Sequence, residues 1–238
     1  MGESLVPAGL SRDEIVKHWL LNLAINCPIY LPLLFPSLRL DALNVKAIPH
    51  CPAADYARGL FDLFGSGMIT FSSELPEDDA TSHAGISRVL DRFLALPENH
   101  KHGRSTGQPP TMRASFALTP LGGETWAKIA EPDWSSLLVE SSDFDDADIY
   151  SNNRDLLMAY MGWYAEINEA RILAETVQWE THKDSEILYW KRLPLVHHVY
   201  CRLEVKAPSA APDWVRGWYF SATSWYRKPW ELSGWPSD

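Results

Sequence analysis

The sequence predicts an α+β fold built in two parts. Up to residue 130 apolar side chains recur at helical spacing, whereas after residue 170 they alternate with polar side chains, as in half-buried strands. Between the two parts lies a stretch rich in Asp and Glu that contains no Lys or Arg. Eight of the eleven Trp residues follow residue 150. We therefore predict a largely helical domain over residues 1–130, an acidic linker over 131–149 and a Trp-rich α+β unit over 150–238.

Capping and helix-breaking residues limit the predicted helices of the first part. Ser11, with Glu14 three residues later, has the capping-box pattern that begins a helix, and Pro28 ends that helix. Helical spacing predicts further helices within residues 37–48, from Pro52 to Gly65 and over residues 85–96. Residues 68–73 predict a short strand, and the polar residues 98–111 predict a loop.

The stretch FALTPLGGETW combines a strand with a capped helix. Phe116 and Leu118 alternate with smaller residues, which predicts that both are buried on one face of a strand. Thr119 can cap the helix that follows, and Pro120 stands at its first turn, where a missing N–H costs nothing. Trp126 is predicted to pack on one face of that helix. The pattern predicts a local fold more strongly than it predicts a function.

Together with LFDLFGSGMITF, this stretch resembles the winged-helix domains of the MarR and PadR families. In those families a helix ending Leu-x-x-x-Gly-Leu-Ile leads into a wing hairpin that closes on Tyr-x-Leu-Thr-x-x-Gly. The matching residues here are Leu63, Gly67, Met68, Ile69, Phe116, Leu118, Thr119 and Gly122. The resemblance extends from the start of the chain to about residue 130 and implies a winged-helix-like domain of a DNA-binding regulator. The connection within the hairpin is about forty residues long here, far longer than a true wing.

The charges of this region argue against DNA binding. The chain has a formal net charge of -10, and the helix after Pro52 offers Arg58 alone against Asp55 and Asp62. The wing strand adds only Arg113. Because neutralisation of phosphates supplies most of the affinity for DNA, we do not expect nucleic acid to be a partner.

The second part is predicted to be a helix packed against an antiparallel sheet. Asn152 or Asn153 caps the helix. Its apolar row comprises Leu156, Tyr160, Trp163 and Ile167. Residues 195–205 alternate cleanly as a strand, with an apolar face of Leu195, His197, Val199, Cys201, Leu203 and Val205. The neighbouring strands are predicted over residues 171–179, 186–193 and 217–225.

No group of residues predicts a catalytic site, a cofactor site or a metal site. The run of aspartates lacks the glycine and the distal glutamate of an EF-hand loop, and the three cysteines show no metal-ligand spacing. His100 and His102 could bind a metal weakly, but a solvated loop is the prediction that we prefer for them. His197 and His198 cannot point the same way in one strand, so His197 is predicted in the core and His198 facing out. Motifs for a nucleophilic serine, for phosphates and for dinucleotides are absent. We predict that the protein is not an enzyme.

Composition indicates a cytoplasmic protein without a membrane segment. No apolar run approaches the roughly 20 residues that span a bilayer, and the first residues lack the pattern of a signal peptide. The three cysteines are widely separated and odd in number, as expected in a reducing compartment.

Binding of another protein is the function that these properties favour. Acidic, non-catalytic proteins rich in Trp and carboxylates are similar as a class to immunity proteins, which neutralise a toxin, often a basic nuclease. The predicted partner is a basic protein such as a toxin domain, because complementary charge speeds association. The predicted partner-binding residues are Asp133, Glu140, Asp143, Asp145, Asp146 and Asp148. The alternative is a winged-helix transcriptional regulator that binds DNA.

Overall fold

The computed structural model describes residues 10–34, 51–72, 75–95, 114–140, 146–167, 170–205 and 225–226. It divides into two compact units, unit 1 with residues 1–130 and 228–238 and unit 2 with residues 131–227. Both units contain helices and antiparallel strands, so the predicted α+β class is confirmed.

Unit 1 combines helices with a three-stranded antiparallel sheet. Its described elements are α1 (Arg12–Leu23), β1 (Ile29–Tyr30), a 3-10 turn (Leu31–Leu34), α2 (Ala53–Gly65), β2 (Ile69–Phe71), α3 (Glu77–Ala80), α4 (His83–Leu94), β3 (Ser115–Leu118) and α5 (Pro120–Ala130). Strand β3 lies between the other two, so that Phe116 is opposite both Ile29 and Phe71.

The helix signals in the sequence of unit 1 are confirmed where the structure describes them. Ser11 caps α1 with both bonds of a capping box, because its hydroxyl accepts from the Glu14 N–H and its own N–H donates to the Glu14 carboxylate. Helix α1 ends at Leu23, before the predicted limit at Pro28. The short helix α3 was not predicted. The helix predicted within residues 37–48 and the loop predicted over 98–111 lie outside the described residues.

Two tryptophans anchor the core of unit 1. Trp19 of α1 is fully buried and stacks on Tyr56 of α2, with 5.3 Å between ring centroids. Trp126 of α5 is also fully buried, and its indole N–H donates to the side-chain oxygen of Asn22 at 3.2 Å. A buried indole that keeps a hydrogen bond adds apolar area without an unsatisfied donor, so these contacts hold α5 and α2 against α1.

A close backbone approach explains the Leu-Thr-x-x-Gly pattern. The Thr119 hydroxyl donates to the Gly67 carbonyl at 2.7 Å, and its oxygen accepts from the Gly122 N–H at 3.1 Å. A Cβ on Gly122 would lie 2.0 Å from the carbonyl oxygen of Met68. The two halves of the motif therefore meet at this point, and only glycine fits there.

Unit 2 places one long helix on one face of an antiparallel sheet. Its described elements are a 3-10 turn (Trp134–Ser136), β4 (Val139–Glu140), β5 (Asp146–Ser151), α6 (Arg154–Ile167), β6 (Ala170–Ile172), a 3-10 turn (Ala174–Thr176), β7 (Gln178–Leu188) and β8 (Lys191–Val205). The order across the sheet is β4-β5-β8-β6, and β7 also pairs with β8. Asn153 caps α6, because its side-chain oxygen accepts from the N–H groups of Asp155 and Leu156.

The core of unit 2 lies between α6 and this sheet. It contains Ala147, Ile149, Leu157, Tyr160, Met161, Tyr164, Ala170, Val199, Cys201 and Leu203. Of the predicted helical row, Tyr160 is buried and Leu156 is half-buried, while the side chains of Trp163 and Ile167 lie outside the described ones. A second cluster joins Trp134 to Trp190 and Trp225, with ring centroids 6.2 and 5.4 Å apart.

The predicted acidic linker over residues 131–149 is wrong for its described part. These residues belong to unit 2, and they contain β4 and most of β5. In β5 the side chains of Ala147 and Ile149 are fully buried, whereas those of Asp146 and Asp148 lie on the other face. A strand needs only every second residue to be apolar, so a dense run of acids is compatible with a central strand.

The strands predicted over residues 186–193 and 171–179 also need correction. Residues 178–205 form a long hairpin that turns at Tyr189 and Trp190, with an irregular register between Glu186 and Leu188. Neither turn residue is a usual hairpin residue, so the sequence carried no turn signal there. A 3-10 turn separates β6 from β7, where one strand was expected. Of the strand predicted over 217–225, only Trp225 is described, and it is not in a strand.

Strand β8 follows the predicted alternation only in its second half. Val199, Cys201 and Leu203 are buried against α6 as expected. Leu195 is exposed and Val196 is buried, the reverse of the prediction. Residues 191–196 pair with β7 alone, whereas β5 joins β8 from residue 197 onward, so the two halves of the strand have different neighbours.

Candidate functional site

Three neighbouring strands of unit 2 bring histidines and carboxylates together on the sheet face opposite α6. Tyr150 of β5 lies opposite His198 of β8, and His198 lies opposite Glu180 of β7. Asp148 and His182 stand two residues from Tyr150 and Glu180, so their side chains point to the same face. We refer to the side chains of Asp146, Asp148, Tyr150, Glu180, His182 and His198 as the outer face of unit 2.

The side chain of His198 is more enclosed than those of Asp148, His182 and Glu180. Its side chain is 16% exposed, and its Nε2 lies 2.5 Å from Oδ1 of Asp148. The ring of Tyr150 stacks on the imidazole at 4.3 Å with 5° between the planes. The Tyr150 hydroxyl donates to the second oxygen of Asp148 at 3.3 Å. The hydrogen bond to Asp148 and the stacked ring of Tyr150 together fix the orientation of the imidazole.

The partner of Nε2 determines the form of the imidazole. A carboxylate is only an acceptor, so Nε2 of His198 carries the proton. The other nitrogen, Nδ1, lies 3.7 Å from Oε2 of Glu180. The same carboxylate oxygen lies 3.0 Å from Nε2 of His182. Glu180 is therefore placed between the two imidazoles.

The Tyr150 hydroxyl stays protonated under ordinary conditions. Partial burial raises its pKa, and the negative charges of Asp148 and Glu180 raise it further. The phenol therefore remains a hydrogen-bond donor to Asp148 through the neutral range. This bond helps to keep the carboxylate in the position that His198 requires.

The arrangement differs from a nucleophilic catalytic site. In a Ser-His-Asp triad the second imidazole nitrogen faces a nucleophilic hydroxyl or thiol. Here that nitrogen faces the Glu180 carboxylate. Burial raises the pKa of Cys51 to about 11 and also raises that of Cys201, so neither thiol is an activated nucleophile. What the cluster can do is attract a cation or exchange a proton.

The predicted partner-binding residues do not share one surface where they are described. Asp133 accepts hydrogen bonds from the hydroxyls of Ser135 and Ser136, which lower its pKa. Glu140 accepts from the hydroxyls of Tyr160 and Tyr164 at 2.9 and 3.0 Å, on the α6 side of the sheet. These two carboxylates therefore have structural partners within unit 2.

Of the other four predicted residues, the structure describes two. Asp146 and Asp148 belong to the outer face, where Asp148 holds His198. Asp143 and Asp145 lie outside the described residues. The predicted group of six thus reduces to two neighbouring carboxylates at a described surface, and the histidine beside them was not part of the prediction.

Sequence reasoning missed Glu180, His182 and His198 as a group. The Glu180-x-His182 pattern could have predicted part of this group, because residues two apart on a strand share a face. The prediction that His198 faces away from the core is correct, but solvent alone was expected there. Its neighbours lie on β5, which is distant from it in sequence, and on β7, across a hairpin turn that carries no sequence signal, so no local pattern gives that register.

Comparisons with protein-family models, with curated proteins and with solved structures find no match to this chain. Among the helices that the structure describes, none is both long enough and apolar enough to cross a bilayer.

Proposed function

We propose that this chain is a non-catalytic, protein-binding protein, and that it inhibits a basic partner in the manner of an immunity protein. The observation that carries the proposal is the outer face of unit 2. It carries the carboxylates of Asp146, Asp148 and Glu180 beside the ring of Tyr150, with Arg202 opposite Asp146, on the side of the sheet away from α6. Carboxylates flanked by an aromatic ring suit the Arg and Lys side chains of a basic surface.

The distribution of charge supports the same unit. Unit 2 contains 16 acidic and nine basic residues, whereas unit 1 contains 15 acidic and 12 basic residues. Unit 2 therefore carries most of the excess negative charge in the shorter part of the chain. A charge excess of this kind raises the rate of encounter with an oppositely charged protein.

The Lys and Arg side chains of α1 and α2 are paired within unit 1. Arg58 is the only cation of α2, the helix in the position that would contact DNA in a winged-helix domain. It lies 3.7 Å from Asp13 of α1. Asp62 of α2 pairs with Lys17 of α1 at 2.6 Å. A helix that presents one paired arginine is a poor site for a phosphate backbone.

Association kinetics test the proposal. The partner is captured from the cells that produce this chain, and its association rate is measured across a range of salt concentrations. Replacing Asp143, Asp145, Asp146 and Asp148 together by Asn should slow association at low salt by about tenfold and flatten its salt dependence, since steering depends on summed charge. Single replacements should change affinity by only about 0–1 kcal/mol.

A matched control removes the same number of charges elsewhere. Asp91→Asn, Glu124→Gln, Asp155→Asn and Glu175→Gln together neutralise four exposed acids outside the outer face. We expect this control to keep most of the wild-type rate. Equal rates and equal salt slopes for wild type and both variants would contradict binding through the outer face.

A DNA-binding regulator is the second candidate. It is favoured by the contact that joins the two winged-helix-like motifs of unit 1, where Thr119 bonds to Gly67 and Met68. A mobility-shift assay with the promoter DNA next to its gene distinguishes the two functions. The inhibitor proposal predicts no shift, or a shift that is lost at physiological salt, whereas tight and salt-resistant binding would favour the regulator.

A further inference from the structure

We propose that Glu180, His182 and His198 bind a divalent transition-metal ion, with zinc the best match, and that Asp148 is the residue that positions His198. One ligand atom from each of the three residues lies within 4.8 Å of the other two. This inference does not depend on the proposed function, and it differs from the expectation of no metal site from the sequence.

The spacing of the ligand atoms fits a tetrahedral ion. Nitrogen and oxygen ligands bind zinc at about 2.0–2.2 Å, which places two ligands of a tetrahedron roughly 3.4 Å apart. Oε2 of Glu180 lies 3.0 Å from Nε2 of His182 and 3.7 Å from Nδ1 of His198. The two distances fall on either side of the ideal value, and the ligand atoms of the two histidines lie within 4.8 Å of each other, so side-chain rotations can bring all three atoms onto one ion.

The orientation of His198 supplies the second argument. Because Nε2 of His198 is directed at Oδ1 of Asp148, Nδ1 is the ring nitrogen that faces the Glu180 carboxylate and can offer a lone pair to an ion. Two electron-pair donors that face each other repel unless a cation or a proton lies between them. A metal ion at this point satisfies both donors and also accepts the lone pair of His182.

Asp148 then has the role that carboxylates commonly have behind metal-bound histidines. Such a carboxylate fixes the tautomer, orients the ring and increases the basicity of the ligating nitrogen. Tyr150 strengthens this arrangement, since its hydroxyl bonds to Asp148 while its ring stacks on the imidazole of His198. One ligand is thereby oriented before the ion arrives, which lowers the entropic cost of binding.

The ligand types indicate which ion fits. Two imidazoles and one carboxylate suit zinc and its neighbours in the first transition series, whereas magnesium and calcium prefer oxygen ligands throughout. Three protein ligands leave one tetrahedral position for water or for a donor from a second molecule. His182 and Glu180 are 43% and 53% exposed, so an ion can reach the site from solvent.

Metal titration of the full chain tests the proposal. Protein treated with a chelator is titrated with Zn²⁺ by calorimetry and with Co²⁺ by visible absorption. We expect one equivalent of each ion to bind, with a Co²⁺ spectrum typical of tetrahedral nitrogen and oxygen ligands and without a thiolate charge-transfer band. His182→Gln and His198→Gln should each weaken binding by at least a hundredfold.

Asp148→Asn separates a positioning role from direct ligation. This variant should keep the stoichiometry and the Co²⁺ spectrum while binding Zn²⁺ ten- to a hundredfold more weakly. Glu180→Gln guards against a folding defect, because the side chain is more than half exposed and its loss should reduce affinity without lowering the melting temperature of the metal-free chain.

Other histidines provide the controls. The variant His100→Gln with His102→Gln and the variant His83→Gln should bind Zn²⁺ as tightly as wild type. If wild type binds Zn²⁺ no more tightly than His198→Gln does, or if the loss follows His100 and His102 instead, the proposed site is wrong.

Discussion

The two units use their charged side chains in different ways. In unit 1 the described ion pairs join neighbouring helices, as where Arg12 and Lys17 of α1 lie 3.4 and 2.6 Å from carboxylates of α2. In unit 2 charged side chains of three strands converge on the imidazole of His198. Exposed ion pairs of this kind contribute little free energy, whereas a convergent cluster of charged groups can bind a ligand or a partner. This difference is the reason that we propose the candidate site in unit 2.

Substitution of Gly122 by Ala should have the largest effect on stability. The new Cβ would lie 2.0 Å from the carbonyl oxygen of Met68, so the start of α5 would have to move away from Met68. We expect a loss of about 3 kcal/mol or more in the free energy of unfolding of unit 1, measured by urea titration.

Gly65→Ala is the matched control. A Cβ at Gly65 meets nothing within 4 Å, and alanine is favoured over glycine inside a helix, so stability should hold or rise by up to about 1 kcal/mol. Similar losses for Gly65→Ala and Gly122→Ala would refute the close approach as the reason for the Leu-Thr-x-x-Gly pattern.

The stability of unit 1 should also fall in mild acid because of His18. Burial in α1 lowers the pKa of His18 from 6.5 to about 4. Between these values the unfolded chain binds a proton that the folded chain does not, so the free energy of unfolding decreases as pH falls from 6.5 to 4. The full shift corresponds to about 3 kcal/mol.

This pH dependence is measured by urea titration of wild type and of His18→Met at pH 7 and pH 4.5. Methionine fills a similar volume and does not titrate, so the variant should lose much less stability in acid. If both proteins lose the same free energy over this interval, a group other than His18 is responsible.

Glu140 tests whether a carboxylate of unit 2 has a structural role or a binding role. It was predicted to bind a partner, but in the structure it accepts hydrogen bonds from Tyr160 and Tyr164. Glu140→Gln should lower the free energy of unfolding of unit 2 by about 1–2 kcal/mol, since hydrogen bonds to a charged group are lost. The same variant should associate with the captured partner at the wild-type rate. A slower association at unchanged stability would show that Glu140 takes part in binding the partner.

The smallest effect is expected at the ion pair of Arg58 with Asp13. Both side chains are more than half exposed, so Arg58→Gln should change the free energy of unfolding by no more than about 0.5 kcal/mol. It should also leave the partner's association rate unchanged. A large loss of stability, or a loss of DNA binding, would show that the cations of unit 1 have a role beyond local pairing.

The same contrast describes what the sequence could predict. Unit 1 depends on signals that are close together in sequence, such as the Ser11 capping box and the Thr119 cap, and these are confirmed. Gly122 lies in the first turn after Thr119. Glycine is required there because Met68, from a distant part of the sequence, packs against it.

The candidate site in unit 2 depends on the register between strands, which local sequence patterns do not predict. The acidic run of β5 looked like a linker because half of a strand can be charged when its other half is buried. The turn at Tyr189 and Trp190 carried no Gly, Asn or Asp. Without that turn, the sequence could not place Glu180 opposite His198. The candidate site was therefore not predicted, although each of its residues could be read from the sequence.

Hydrogen exchange of the full chain, alone and bound to its captured partner, tests most directly whether unit 2 is the binding unit. We predict that slowed exchange concentrates in peptides covering residues 146–151, 178–188 and 191–205, and that α2 exchanges at the same rate in both samples. Slowed exchange in α2 with no change in these three peptides would contradict the assignment and would place the interface in unit 1.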